Sequence, residues 1–159
     1  METHYYHVDI RWNRDRKGMM CSPEIDTPLL TSKGCIEIAT PPEFPKGIAG
    51  VWSPEHLFTA SVSSCLMTTF LSIAENSKLN FLDFACQSQG KLEKVDGKFQ
   101  MTEVLLAPTI TVSTEADREK AERVIRKSEG ACLISNSIRS KVTLTPIIKV
   151  IENKRVTPV

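Results

Sequence analysis

Ser53-Pro54-Glu55-His56-Leu57-Phe58-Thr59-Ala60-Ser61-Val62-Ser63-Ser64-Cys65-Leu66-Met67-Thr68-Thr69-Phe70-Leu71-Ser72-Ile73-Ala74-Glu75-Asn76-Ser77 decides how this chain folds. Ser53 fits a helix N-cap, Pro54 the first helical position, and Glu55 sets negative charge at the positive end of the dipole. The spacing predicts a helix from Pro54 to about Ser77. Between Leu57 and Ala74 there is no Asp, Glu, Lys, Arg or His in 18 residues, and seven of the 18 are Ser or Thr. That Ser/Thr content breaks any long apolar run and argues against a membrane span. A surface helix would carry a charged face. The remaining solution is a helix covered nearly all round, with small residues allowing close approach. A chain of 159 residues with few other helices covers such a helix most economically with a second copy of itself. A homodimer with this helix near its centre is therefore expected.

The elements around it can be read outward. Toward the N-terminus, 35–40 (CIEIAT) alternates as a half-buried strand, and the Pro- and Gly-rich 41–52 connects it to the helix. Residues 22–34 read as a long loop. Residues 4–12 (HYYHVDIRW) read as a strand, 14–18 as its turn and 19–22 as the return. Toward the C-terminus, 82–95 and 98–112 flank Asp96-Gly97, a sharp hairpin signal. Ser113 or Thr114 can cap a charged amphipathic helix over 115–129, with Ala116, Ala121, Val124 and Ile125 inward and Gly130 as its stop. A short turn or helix over 132–139 and a last strand over 141–151 complete the chain. The class is α+β: mostly antiparallel sheets with two principal helices, in a single domain spanning 1–159.

Composition narrows the function. Lys plus Arg number 20 and Asp plus Glu 19, a net charge of +1. Phosphate contact needs clustered cationic excess, so no nucleic acid and no membrane surface is expected as a partner. The N-terminus carries charge early and has no apolar core segment, so no secretory signal is read and a cytoplasmic location is expected. The five cysteines, 21, 35, 65, 86 and 132, are too few and odd in number for a disulfide framework. There is no CxxC, no HExxH and no Cys/His cluster, and His4 and His7, three apart in a strand, would face opposite sides. No metal site is expected. Cys21, Cys35 and Cys86 are assigned to packing.

Cys65 lies mid-helix, where a free cysteine is ordinarily a small hydrophobe. Cys132 follows Gly130-Ala131 at the start of another helical turn, where amide donors favour thiolate. A nucleophilic thiol with a resolving thiol is what reversible peroxide chemistry needs. A cysteine hydrolase would need a base, and His56 is nine residues back on the same helix, too far to serve Cys65 in its own chain.

Trp52-Ser53-Pro54-Glu55-His56-Leu57-Phe58, with Ala60 and Ser64-Cys65, resembles the PEQLF…AAC segment of the OsmC/Ohr family, the osmotically inducible protein C and organic hydroperoxide resistance proteins. Ala131-Cys132-Leu133-Ile134-Ser135-Asn136-Ser137 resembles that family's CPYSNA segment. The likeness covers most of the chain beyond residue 34. It implies an intertwined homodimer acting as a thiol peroxidase on organic hydroperoxides, with Cys65 as the peroxidatic and Cys132 as the resolving cysteine. Glu55 matches the family glutamate. Asn13-Arg14-Asp15 resembles the turn that holds the family arginine, so Arg14 is the candidate, with Arg16 and Arg11 as alternatives. The implied cycle forms a Cys65 sulfenate and then a Cys65–Cys132 disulfide, which a dithiol, dihydrolipoamide or a lipoylated protein by family precedent, reduces again. No metal, haem or flavin is implied.

Two departures stand out: Leu133 replaces the family proline, and the segment between Arg14 and Pro41 is longer. On one helix, ten residues at ~1.5 Å each put Glu55 about 15 Å from Cys65 along the axis. Glu55 would then serve a Cys65 site across a dimer, or with Arg14 reaching between. Phe58, Met67 and Phe70 would favour alkyl or lipid hydroperoxides over hydrogen peroxide. Trp12 and Trp52 could line the pocket, but are read first as dimer-interface residues. The alternative is a non-enzymatic OsmC-like dimer that senses oxidants or binds a small apolar ligand.

Overall fold

The computed structural model describes residues 3–25 and 34–151. Most of the long loop expected over 22–34, namely 26–33, lies outside the described residues. The chain divides into two compact units, Met1–Leu57 and Phe58–Val159.

In the first unit, β1 (Asp9–Arg14), β2 (Lys17–Cys21) and β3 (Cys35–Ala39) form an antiparallel sheet in that order. The expected strand over 4–12 begins later and ends later, because the turn is tighter than 14–18. Arg14 pairs with Lys17, so only Asp15 and Arg16 make the reversal, and Asp15 takes φ 48°, a conformation Asp tolerates better than most residues. Trp52 bridges to Ile38, and the Ala39 amide donates to the Trp52 carbonyl at 2.8 Å, tying the connecting loop to β3.

The helix α1 spans Pro54–Asn76, starting at the expected first position and ending one residue before Ser77. Ser53 caps it as read: its Oγ accepts from the His56 amide at 3.3 Å, and its carbonyl accepts from the Leu57 amide at 3.0 Å. Its length and composition would suffice to cross a membrane. In this fold, however, Val62, Leu66, Phe70 and Ala74 pack into the core of the second unit. The Ser and Thr hydroxyls are satisfied locally, as where Ser61 Oγ donates to the Phe58 carbonyl at 2.7 Å and Thr68 Oγ1 to the Cys65 carbonyl at 3.1 Å. Within a single chain α1 is covered on one face only, leaving Ser64, Met67, Thr68, Leu71 and Ser72 exposed.

In the second unit, β4 (Asp83–Val95) and β5 (Lys98–Val112) form a long antiparallel hairpin. Asp96 at φ 48° and Gly97 at φ 79° are both left-handed, as a type I′ turn requires. Gly90 in β4 matters for packing: a Cβ there would come within 2.1 Å of Thr59 Oγ1 on α1. The helix α2 spans Glu115–Ala131, and Thr114, not Ser113, caps it by accepting from the Asp117 amide at 3.1 Å. Gly130 does not stop it, since the helix runs one residue further and Cys132 is the C-cap. The last strand expected over 141–151 is two, β6 (Lys141–Leu144) and β7 (Ile147–Val150), both parallel to β5. Pro146, which has no amide to donate, divides them. The core of this unit joins α1, β5 and α2 through Phe70, Leu66, Leu106, Ile110, Ala121 and Ile125, all buried.

Candidate active site

Cys65 stands midway along α1 on the buried face, 9 % exposed. Cys132 is fully buried at the C-cap of α2. The α+β packing brings these two cysteines, 67 positions apart in sequence, close enough that each shifts the ionisation of the other. Both are free thiols.

Their surroundings separate them chemically. Burial pushes the Cys65 thiol up. Against this, the Cys132 thiol, the Ile134 amide, the Thr69 hydroxyl and the Leu133 amide all favour the Cys65 thiolate, and together they hold it below the ordinary thiol value. Cys132 moves the other way: burial pushes it up, and the neighbouring Cys65 adds to the effect, with Ser135 opposing. The two environments thus favour the charge on Cys65 and the proton on Cys132. The donors come from the turn after α2, whose shape is set locally. The Ser135 amide donates to Cys132 Sγ at 3.5 Å, the Asn136 amide to the Cys132 carbonyl at 3.1 Å, and Asn136 Nδ2 to the Gly130 carbonyl at 3.0 Å.

Sequence reasoning pointed to both cysteines and missed the other donors. Thr69 is one turn after Cys65 and was legible as an i,i+4 neighbour. The Leu133 and Ile134 amides are backbone groups, which side-chain identity does not reveal. The departure from the family pattern was nevertheless a sign, because a proline at 133 would have no amide to give.

The other site candidates lie in the first unit, around a cavity of about 570 Å³. Its walls include Trp12, Ile38, Phe44 and Pro54, with Asp15, Arg16, Lys17 and Glu55 as the charged members. Arg14 is exposed at the end of β1 and is not among the lining residues; neither is Arg11. Arg16 is the arginine that shares the cavity with Glu55. His56 is occupied by Ser53, Oγ to Nδ1 2.8 Å, and by the edge of the Trp52 ring. Of the proposed apolar residues, Phe70 is buried core, stacked on Phe84 with centroids 4.9 Å apart. Met67 is exposed. Phe58 lines a second cavity of about 590 Å³ in the C-terminal unit, with Phe99, Met101, Ile138 and Arg139.

One expectation about cysteine is overturned. Cys21 and Cys35 are not separate packing residues but a disulfide, S–S 2.06 Å, because the β2–β3 register places them directly opposite each other. Cys86 stays free and half-buried on β4, its Sγ 3.5 Å from Ser88 Oγ. Among the described residues no group of three or more Cys, His, Asp or Glu could hold a metal ion.

A two-helix α+β chain with a buried helical cysteine facing a second cysteine defines a class, that of OsmC-like thiol proteins. The OsmC-like protein family model matches residues 47–146, and the chain belongs to that family. Among curated proteins it is similar to the uncharacterised protein YmaD of Bacillus subtilis, 24 % identical over 149 residues, covering 91 % of this chain and 93 % of that one. Its fold is shared with an OsmC-like protein of unknown function from Vibrio cholerae, at TM-score 0.77 and 22 % identity over 91 % of this chain and all of that one. An organic hydroperoxide resistance protein from Legionella pneumophila matches at TM-score 0.71 and 24 % identity over 94 % of this chain and all of that one.

Proposed function

We propose that this protein is a cysteine-based peroxidase that reduces organic hydroperoxides. The observation carrying this reading is the polarised pair: the charge favoured on Cys65 and the proton on Cys132. The Cys65 thiolate attacks one oxygen of the O–O bond. That bond breaks, the alcohol leaves after taking a proton from solvent, and Cys65 becomes a sulfenic acid. The Cys132 sulfur then displaces the hydroxyl, and the Cys132 proton leaves with it as water. The product is a Cys65–Cys132 disulfide. An external dithiol, of the dihydrolipoamide or lipoylated-protein type, restores both thiols and is itself oxidised.

The working unit in this reading is a homodimer. The exposed, uncharged face of α1 supports it, since Met67 (38 % exposed) and Leu71 (43 % exposed) are large apolar side chains for one chain to leave to water. Arg16 is the arginine we assign to partner Glu55, because those two share a cavity. The reaction takes place in the cytoplasm, without nucleic acid or membrane as partner.

The test is a thiol count before and after one equivalent of cumene hydroperoxide, in wild type, Cys65→Ser and Cys132→Ser. Wild type should lose two thiols, Cys65→Ser none, and Cys132→Ser should stop at the sulfenate. If wild type forms the disulfide but a dithiol drives no turnover, the protein is an oxidant sensor. If Cys65 keeps its thiol, the redox reading fails and ligand binding in the cavities takes its place.

A further inference from the structure

The Cys21–Cys35 disulfide belongs to none of this chemistry, yet its position carries a role. It closes the open end of the β2–β3 ladder, where the chain leaves the sheet, and neither cysteine is fully buried. It is not needed to set the register. The β2–β3 ladder is already fixed by its other rows, from Lys17 opposite Ala39 to Met20 opposite Ile36, and the Thr40 amide on the Arg16 carbonyl at 3.1 Å extends its far end. The principal hydrophobic core of the described residues lies wholly within Phe58–Val159 and includes neither cysteine. A bond that is not fully buried, redundant for register and outside the core can open without unfolding the protein.

The same ladder builds the first unit's cavity. Cys21 faces Cys35, and three rows along the strands Gly18 lies between Trp12 and Ile38, all three lining the cavity. Three residues of strand span roughly 10 Å. A change at the disulfide therefore acts on the cavity wall through two short, directly hydrogen-bonded strands.

We propose that Cys21–Cys35 is a second thiol–disulfide couple, exchanging with a small external dithiol in the folded protein and setting the shape of the cavity that holds Arg16 and Glu55. In the exchange, one thiolate of the dithiol attacks one sulfur of the pair. The S–S bond breaks, the other cysteine leaves as thiolate and takes up a proton, and a mixed disulfide remains. The second thiol of the dithiol then attacks its own sulfur in that mixed disulfide and releases the second cysteine. Two electrons and two protons pass to the protein, and the dithiol leaves as its cyclic disulfide. The couple is independent of the Cys65–Cys132 reaction, so it survives if the peroxidase reading fails.

The experiment uses dithiothreitol as the probe on the native full chain, with Trp52→Phe so that Trp12 alone reports on the cavity. Thiols are alkylated and assigned peptide by peptide, and far-UV circular dichroism follows the fold. With alkylation carried out in denaturant after the native reduction step is quenched, Cys65, Cys86 and Cys132 should alkylate in the unreduced protein, three per chain. After reduction, all five cysteines should do so with the dichroism unchanged. Acrylamide quenching of Trp12 should change with the Cys21–Cys35 state, and a Cys21→Ser/Cys35→Ser variant should show the reduced-state quenching at all times. The same titration in Cys65→Ser separates this couple from the other. The proposal is overturned if the pair opens only in urea, if both thiols are already free in air-exposed protein, or if Trp12 quenching ignores reduction.

Discussion

Leu133→Pro isolates one backbone hydrogen bond at the reactive sulfur. The Leu133 amide is one of four donors favouring the Cys65 thiolate, and proline removes that amide while leaving the chain otherwise intact. The backbone tolerates it: Cys132 has φ −66° and ψ 114°, the extended conformation that a residue before proline adopts anyway. The Leu133 side chain is 67 % exposed, so little packing is lost. A hydrogen bond to a charged group is worth ~1.5–3 kcal/mol, and with a soft sulfur acceptor and three donors remaining about 1 kcal/mol is reasonable. That lowers the thiolate fraction about fivefold wherever Cys65 is mostly protonated. The thiolate left is the more basic and so about twice as nucleophilic, leaving a net loss of roughly 2.5-fold in rate. At high pH, where both proteins are fully ionised, the order reverses and the variant reacts about twice as fast. The assay is iodoacetamide alkylation of Cys65 against pH, read by mass spectrometry of the Cys65 peptide. Leu133→Ala, which keeps the amide, should follow wild type throughout. Superimposable profiles for Leu133→Pro and wild type, in proteins of equal dichroism, would refute the claim that this amide stabilises the thiolate.

Cys65 should alkylate at a lower pH than an ordinary thiol, since its charged form is the one hydrogen-bonded, and Cys132 at a higher one; in urea both should return to ordinary behaviour. Phe70→Ala, which empties a fully buried site between Phe81 and Phe84, should cost about 3–5 kcal/mol in urea unfolding. Thr114→Ala removes the α2 cap and should cost about 1 kcal/mol, with Thr114→Ser recovering most of it. Leu71→Lys on the exposed face of α1 should leave the dichroism unchanged but shift sedimentation from dimer to monomer. A monomeric wild type would remove the dimer from the proposed function.

The parts of this fold legible in the sequence are those fixed by local rules. Ser53-Pro54-Glu55 marks the start of α1, and Asp96-Gly97 marks the β4–β5 reversal, because caps and type I′ turns demand particular residues at particular positions. What escaped was set by pairing between distant segments. Nothing local shows that Cys21 and Cys35 face each other, because that depends on which residues of β2 and β3 share a row. A slip of one residue would have put their side chains on opposite faces of the sheet. The split of 141–151 into β6 and β7 was in principle visible at Pro146, but the parallel direction of both strands was not, since it follows from where α2 delivers the chain.

The candidate site divides along the same line. Cys65 and Cys132 were legible as residue types, and the resemblance paired them, but what distinguishes them is asymmetry of environment. Two identical thiols this close cannot both be anionic, so any donor reaching only one decides which is nucleophile and which keeps the proton. Here the Leu133 and Ile134 amides and the Thr69 hydroxyl reach Cys65, while Cys132 is fully buried and receives only Ser135. The turn immediately after Cys132 thus supplies two of the donors that make the other cysteine reactive. In a proline-bearing version of this turn one of those amides is missing. The leucine at 133 therefore gives this chain a means of stabilising the Cys65 thiolate from the backbone.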